Sequence, residues 1–328
     1  MSAEAVRLTD AIRSAADRLA ATSETPRLDA ELLMAHALGV TREAMLLGGL
    51  DRPLLPIRAS LPPPFVVSAV EGRAPSAAPA ARPSTSLRTN GDGDRSTSAG
   101  RANGVGDAFD ALVARRATGE PLAYIVGTRA FWTIELGVAP GVLIPRPDSE
   151  TLIEAAVAHF AGTPGPSRVL DLGTGSGALL LAALAEWPRA SGVGIDRSAA
   201  ALAIARANAA TLGMAARADI LEGGWAGTGE VFDLILCNPP YIGTGEPLPR
   251  DVVGHEPHAA LFAGLDGLDD YRALAPLLPA QLAPGGVACI EIGSTQADAV
   301  AALLRAERLV VQIRHDLAGR DRCIVAMR

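Results

Sequence analysis

Apolar residues recur three and four positions apart over residues 8–21, at Leu8, Ile12, Ala15, Ala16 and Leu19. That spacing predicts an amphipathic helix, with Thr9 as its cap. Leu28, Leu32, Ala35 and Leu38 predict a second helix, ended by Gly39. Thr41 opens a third, short helix that reaches Leu47 and stops at Gly48-Gly49. The pattern then breaks near Pro53. Residues 55–106 are rich in Pro, Ser, Ala and Gly, as in Arg73-Ala74-Pro75-Ser76-Ala77-Ala78-Pro79 and Asn90-Gly91-Asp92-Gly93-Asp94. Such a segment buries little surface and is predicted to be a disordered, weakly basic insert. Phe65-Val66-Val67 is its one apolar run. Helical spacing resumes at once with Phe109, Leu112 and Val113. The insert therefore reads as an addition to a preexisting fold.

The period then shortens. Tyr124-Ile125-Val126, Gly127-Thr128 and Phe131-Trp132-Thr133-Ile134-Glu135-Leu136 predict a β-hairpin. Prolines force an extended path through Leu143-Ile144-Pro145-Arg146-Pro147-Asp148-Ser149-Glu150, and Ser149 starts a helix through Phe160. Strands follow at 169–172, 193–195, 219–221, 231–237 and 287–292. Helices are predicted at 178–186 and 198–212, around Leu274, Leu277, Leu278 and Leu282 up to Pro284-Gly285-Gly286, and at 297–304. Residues 309–313 and 322–327 close the chain as an antiparallel hairpin. The count is seven strands with helices between the first five, an α/β pattern. The expected organisation is a helical amino-terminal domain in 1–54, the insert in 55–106 and a last helix in 107–122. A hairpin bridge in 123–148 and an α/β domain in 149–328 follow.

Composition narrows the function. The chain has 328 residues, 49% of them hydrophobic, and a formal net charge of −7. An acidic balance argues against a general nucleic-acid binder. All 29 basic residues are Arg, a coding bias more than a mechanism. No apolar stretch has the length of a membrane span, and the first residues lack a signal-peptide core. Cys237, Cys289 and Cys323 each fall in a predicted strand without metal-ligand spacing. Buried, reduced thiols in a cytoplasmic protein are expected.

The candidate chemistry sits at strand ends. Val169-Leu170-Asp171-Leu172 runs into Gly173-Thr174-Gly175-Ser176-Gly177 and a helix. A strand, a glycine turn and a helix make a ligand cradle, because glycine permits close backbone approach and positive φ. Asp196 ends the next strand, where a carboxylate can accept from both hydroxyls of a ribose. Trp225 either stacks on an adenine or packs as a rim residue. Arg146 and Glu150 form either a solvated elbow or a lid. The fourth strand stops at Asn238-Pro239-Pro240-Tyr241, since two prolines cannot continue a ladder. That leaves Asn238 at a carboxyl end, where open α/β sheets bind ligands. Its side-chain carbonyl and the Pro239 carbonyl are two acceptors in one corner, suited to a planar NH2 group. The alternative is a strand-ending turn in which the Asn caps itself.

Together these residues resemble a known family. Asp171-Leu172-Gly173-Thr174-Gly175-Ser176-Gly177, Asp196 and Asn238-Pro239-Pro240-Tyr241 look like a class I methyltransferase with a Rossmann-like seven-stranded sheet. Residues 143–150, His255-Glu256-Pro257, Asp266-Gly267-Leu268 and Asp316-Leu317-Ala318-Gly319-Arg320-Asp321-Arg322 resemble the PrmC/HemK family, the release factor glutamine methyltransferases. The resemblance covers the chain except the insert. It implies S-adenosyl-L-methionine as cofactor, bound by Gly173, Thr174, Gly175, Ser176, Gly177, Asp196, Trp225 and Asn238. It further implies that Asn238, Pro239, Pro240 and Tyr241 hold the acceptor, with Asn238 and Pro239 catalytic. The acceptor would be the N5 amide of the Gly-Gly-Gln glutamine in class-1 peptide chain release factors, a translation-termination substrate. His255 and Glu256 would shape a loop near the site. The family often carries Asp where this chain has Gly224, so adenine contact there would rest on backbone groups.

An amide nitrogen is a poor nucleophile, and two acceptors on its N–H bonds would position it and offset developing positive charge. No base is then required, which fits the lack of a candidate His or Cys. Three other readings stand beside this one: an adenine methyltransferase, a glutamine methyltransferase of a large-subunit ribosomal protein, and a non-catalytic nucleotide-binding module. The expectation is a cytoplasmic monomer that meets a protein substrate, with no direct nucleic-acid or membrane binding and no metal.

Overall fold

The computed structural model describes residues 7–49 and 104–328, in two compact units, Met1–Ala114 and Arg115–Arg328. The segment 55–103, where most of the expected insert falls, lies outside the described residues.

The first unit is helical. Leu8–Leu19 buries Leu8, Ile12, Ala15 and Leu19, the predicted stripe. Its N-cap is Arg7 in an extended conformation, and Thr9 lies inside the helix. In Pro26–Leu38 the buried face includes Ala35 and Leu38 of the predicted stripe but is wider than it. Ala30, Leu33, Met34 and Ala37 are buried, whereas Leu28 is 40% exposed. Two carboxylates are buried there as well, which blurs the pattern. Asp29 accepts from the Ser23 hydroxyl at 2.8 Å, and Glu31 accepts from Arg27 Nε at 2.6 Å and Arg42 Nε at 2.8 Å. Buried carboxylates are tolerable only with such partners. Gly39, at φ 66, ends the helix, and Val40 N donates back to Ala35 O. Arg42–Leu47 is capped by the Thr41 side chain. The helix that follows the insert, Gly104–Ala117, begins within the span 55–106 expected to be disordered, at residues 104–106.

The second unit opens with a correction. Tyr124-Ile125-Val126 belongs to a helix, Leu122–Val126, ended by Gly127 at φ 79. The hairpin lies one step later, β1 (Thr128–Phe131) paired with β2 (Ile134–Gly137), and turns at Trp132, φ 54. A run of three apolar residues does not discriminate helix from strand. The positive φ at Gly127 separates the two elements.

Seven strands then form the main sheet: β3 (Arg168–Leu172), β4 (Ser191–Asp196), β5 (Ala218–Glu222), β6 (Phe232–Cys237), β7 (Leu282–Glu291), β8 (Val310–His315) and β9 (Asp321–Met327). Their order is β5-β4-β3-β6-β7-β9-β8, with β3 to β7 parallel and β9 antiparallel to both neighbours. This is the expected seven-stranded α/β sheet. Alternate residues serve its two faces. Val169, Leu234 and Leu236 pack with the helices Glu150–His159 and Ala178–Glu186, while Leu170, Ile235 and Cys237 pack with Asp269–Leu274 and Ala297–Ala306. Both faces are covered, so the strands read as continuous apolar runs.

Two details differ from expectation. No helix joins β5 to β6, and residues 223–231 form a loop. Leu282 begins β7 instead of ending a helix, and a register shift between Phe232 and Leu234 takes up the extra residues around Pro284-Gly285-Gly286. The sheet order reverses between β3 and β6, which places a crevice at their carboxyl ends. No helix among the described residues is long and apolar enough to cross a membrane.

Candidate active site

The crevice is built first from β3 and its turn. Gly173, Gly175 and Gly177 have φ values of 74, 56 and 84, a region that suits glycine alone. Gly173 N and Thr174 N donate to Ile195 O at 2.8 and 2.9 Å, which ties the turn to β4. Gly175 N donates to Asp196 Oδ2 at 2.9 Å, and Ser198 N donates to Asp196 Oδ1 at 2.8 Å. Asp196 thus fixes both the glycine turn and the start of the next helix. Asp171 lies beneath, fully buried. Its Oδ2 accepts from Thr174 Oγ1 at 2.6 Å and Leu180 N at 3.2 Å. Burial pushes its pKa up to about 7, against these hydrogen bonds.

A cavity of about 310 Å³ opens above the turn. Gly173, Thr174, Gly175, Ser176, Asp196, Trp225, Asn238 and Pro240 all line it, as do Val142, Arg146, Leu179, Arg197 and Ala201. Gly177 does not: it starts the helix, with Leu181 and Ala205 against the space a Cβ would fill. Trp225 packs against the core on one face of the sheet and also lines the cavity. Its Nε1 donates to Asp270 Oδ1 at 3.0 Å, its ring faces Gly173, and the Arg197 guanidinium lies 5.9 Å from its centroid.

A second cavity, of about 240 Å³, adjoins through Leu143, Arg146, Asn238 and Ala260, which line both. Tyr241 and Glu291 line only the second. Pro239 is buried and lines neither. Asn238 follows β6 at the switch point, beside Gly173. Its Nδ2 donates to Ser149 Oγ at 3.1 Å, so it does not cap its own turn. Tyr241 OH donates to Glu291 Oε1 at 3.2 Å. Burial pushes the Glu291 carboxyl up to about 7, opposed by the Ser149 hydroxyl and by Arg322. Burial also raises the Cys237 thiol well above its ordinary value, which leaves it inert as a nucleophile.

The flanking motifs serve this floor. Arg146 pairs with Glu256, whose Oε2 also accepts from Ile144 N at 3.1 Å. Glu256 thereby anchors the 143–150 segment over the cavity. Glu150 faces elsewhere and accepts from Trp132 N at the hairpin turn, at 2.9 Å. Arg322 reaches Asp148 Oδ2 at 3.2 Å and Asp316 Oδ2 at 3.3 Å, which joins two of the sequence motifs. Gly267, at φ 71, sits where a Cβ would meet Tyr241 O at 2.3 Å. Ser149, Arg197 and Glu291 were not singled out as site residues from sequence. The one available signal was a carboxylate inside the apolar run 287–292.

Two family matches agree with this architecture. Residues 149–249 match the methyltransferase small domain, and residues 10–54 match the PrmC N-terminal domain. The chain is 40% identical to the release factor glutamine methyltransferase of Rhodospirillum rubrum over 309 residues, 93% of this chain and 80% of the relative. With the enzyme of the same name from Moorella thermoacetica it shares 38% identity over 98% of both chains. The Cereibacter sphaeroides enzyme is 48% identical over 66% of this chain and 78% of its own. On these identities over most of both chains, the chain belongs to the release factor glutamine methyltransferase family.

Proposed function

We propose that the protein transfers a methyl group from S-adenosyl-L-methionine to the N5 amide of the Gly-Gly-Gln glutamine in class-1 peptide chain release factors. The cofactor supplies an electrophilic methyl group on a sulfonium. The larger cavity has the size of a small-molecule site, and its lining has the right chemistry. Gly173 and Gly175 leave room for close approach. Asp196 spends one hydrogen bond per oxygen on backbone donors and keeps lone pairs for two ribose hydroxyls. The ring of Trp225, steadied by Asp270, offers a face to adenine.

The observation that carries the reading is the Asn238 side chain. Its NH2 is committed to Ser149, so its Oδ1 is the end available at the junction of the two cavities. There Oδ1 accepts one N–H bond of the acceptor amide; the Pro239 carbonyl, expected as the second acceptor, lines neither cavity and takes no part in that contact. Oδ1 holds the nitrogen in line for transfer and offsets the positive charge that develops on it. The departing proton passes to water. Tyr241 and Leu143 wall the second cavity around the glutamine stem.

The test is methyl transfer from labelled cofactor to a purified release factor. Asn238→Ala should lower turnover roughly 100- to 1000-fold, as loss of one preorganised transition-state group does elsewhere. A factor whose Gly-Gly-Gln glutamine is replaced should stay unlabelled. Near-normal turnover by the variant, or equal labelling of the replaced factor, would overturn the reading. Labelling of DNA would favour adenine instead.

A further inference from the structure

Glu291 ends β7, is 1% exposed and lines the second cavity beside Asn238 and Tyr241. One of its oxygens takes the Tyr241 hydroxyl at 3.2 Å, and the other, Oε2, has no hydrogen-bond partner among the described residues. Ser149, 3% exposed, accepts from Asn238 Nδ2 at 3.1 Å, which leaves its own proton for the Glu291 carboxyl, whose anion it favours. A chain of polarity results: Asn238 amide to Ser149 hydroxyl to Glu291 carboxylate, with Tyr241 on the far side. We infer that Glu291 is a positioning residue of the acceptor site, which through Ser149 fixes the end of the Asn238 amide that faces the cavity.

The proton count decides the direction of each bond. A hydroxyl has a single proton to give. An ionised carboxylate only accepts, so it draws the Ser149 proton to itself. Ser149 can then only accept from Asn238, whose NH2 must turn inward and whose Oδ1 must face the cavity. With a proton on Glu291 the chain can reverse. The carboxylic acid donates to Ser149, Ser149 donates to Asn238 Oδ1, and the amide turns its NH2 toward the cavity. There it would meet the N–H bonds of an acceptor amide, donor against donor. The groups that face Glu291 oppose one another. Arg322 on β9 favours the anion, as does the Tyr241 hydroxyl. Asp148, before the helix Glu150–His159, disfavours it. Arg146 lines the same cavity. Tyr271, whose hydroxyl donates to Glu291 O, and the buried thiols of Cys237 and Cys323 are neutral neighbours.

This inference rests on the proposed role of Asn238, and the test separates the two. Wild type, Ser149→Ala, Ser149→Thr and Glu291→Gln are compared for methyl transfer to a release factor, for S-adenosylmethionine affinity by calorimetry, and for melting temperature. Ser149→Ala should lose about 10-fold or more in kcat with cofactor Kd within about twofold. Ser149→Thr, which keeps the hydroxyl, should recover most of it. In wild type kcat should fall as pH drops below about 7, and Glu291→Gln should lack that limb. The double variant Ser149→Ala with Glu291→Gln should be no worse than the poorer single, as for residues acting through one path. The inference is overturned if folded Ser149→Ala keeps wild-type kcat, or if the acid limb survives in Glu291→Gln. If wild type itself fails to label the factor, the functional reading falls instead.

Discussion

Replacing Asp196 with Ala removes two hydrogen bonds from the crevice at the carboxyl end of β4. Its carboxylate holds Gly175 N at 2.9 Å and Ser198 N at 2.8 Å. Hydrogen bonds to a charged group contribute roughly 1.5–3 kcal/mol each. Both donors are half-buried, so water replaces part of the loss, and about 2–4 kcal/mol of stability should go. For a domain of this size that is a fall of about 5–15 °C in Tm of the cofactor-free protein. A second effect should appear in binding. If the same oxygens also accept from ribose, losing them should weaken S-adenosylmethionine by about 10- to 150-fold. Asp196→Asn retains one oxygen for one N–H and should melt between wild type and Ala. Calorimetry of unfolding and of cofactor binding measures the two effects separately. A Tm within 1–2 °C (about the scatter of such a melt) would refute the backbone-anchoring role. An unchanged Kd would refute the ribose assignment.

Three further outcomes follow from single contacts. Gly192→Ala puts a Cβ 2.6 Å from Leu180 Cδ1 and 2.8 Å from Val169 O. Backbone cannot move aside cheaply, so a stability loss of about 1–3 kcal/mol by denaturant titration is expected, and a wild-type midpoint would contradict the close packing of β3 on β4. Asp171 has its folded pKa raised from 3.8 to about 7, so the folded state binds the extra proton between those values. Stability of the cofactor-free protein should therefore decline as pH rises from about 4 to about 7, and Asp171→Asn should flatten that decline; an unaltered pH–Tm curve would count against it. Trp225→Leu keeps apolar bulk but loses the ring and the bond to Asp270; cofactor affinity equal to wild type by calorimetry would return Trp225 to a packing role.

Much of the sheet was legible because it is buried on both faces. Runs such as Phe232-Asp233-Leu234-Ile235-Leu236-Cys237 carry the signal without tertiary help. The glycine turn was legible for a different reason: three positive φ values demand a residue type that sequence displays openly. The misread elements are short or depend on remote partners. Tyr124-Ile125-Val126 is too brief for its period to decide, and its helix is held by Tyr124 OH donating to Val142 O, eighteen residues away. Leu282 reads as the end of a helix because the bulge that brings it into β7 is set by pairing with Phe232. Thr9 looks like a cap, but the helix begins before it. In the candidate site, residues whose chemistry is local could be named from sequence, and residues whose contacts are relational could not. Glu150 and Glu256 lie in equally suggestive motifs, yet only Glu256 reaches Arg146 and the cavity wall. Ser149 and Glu291 acquire meaning only when β6, β7 and the start of a helix meet around Asn238.

The function turns on which atom receives the methyl group. Tandem mass spectrometry of a class-1 release factor, incubated with this enzyme and S-adenosylmethionine, tests it directly. The expected product carries one added methyl on the side-chain amide of the Gly-Gly-Gln glutamine, absent when Asn238→Ala replaces wild type. A methyl group at any other residue, or an unmodified factor in the presence of folded, cofactor-binding enzyme, would contradict it.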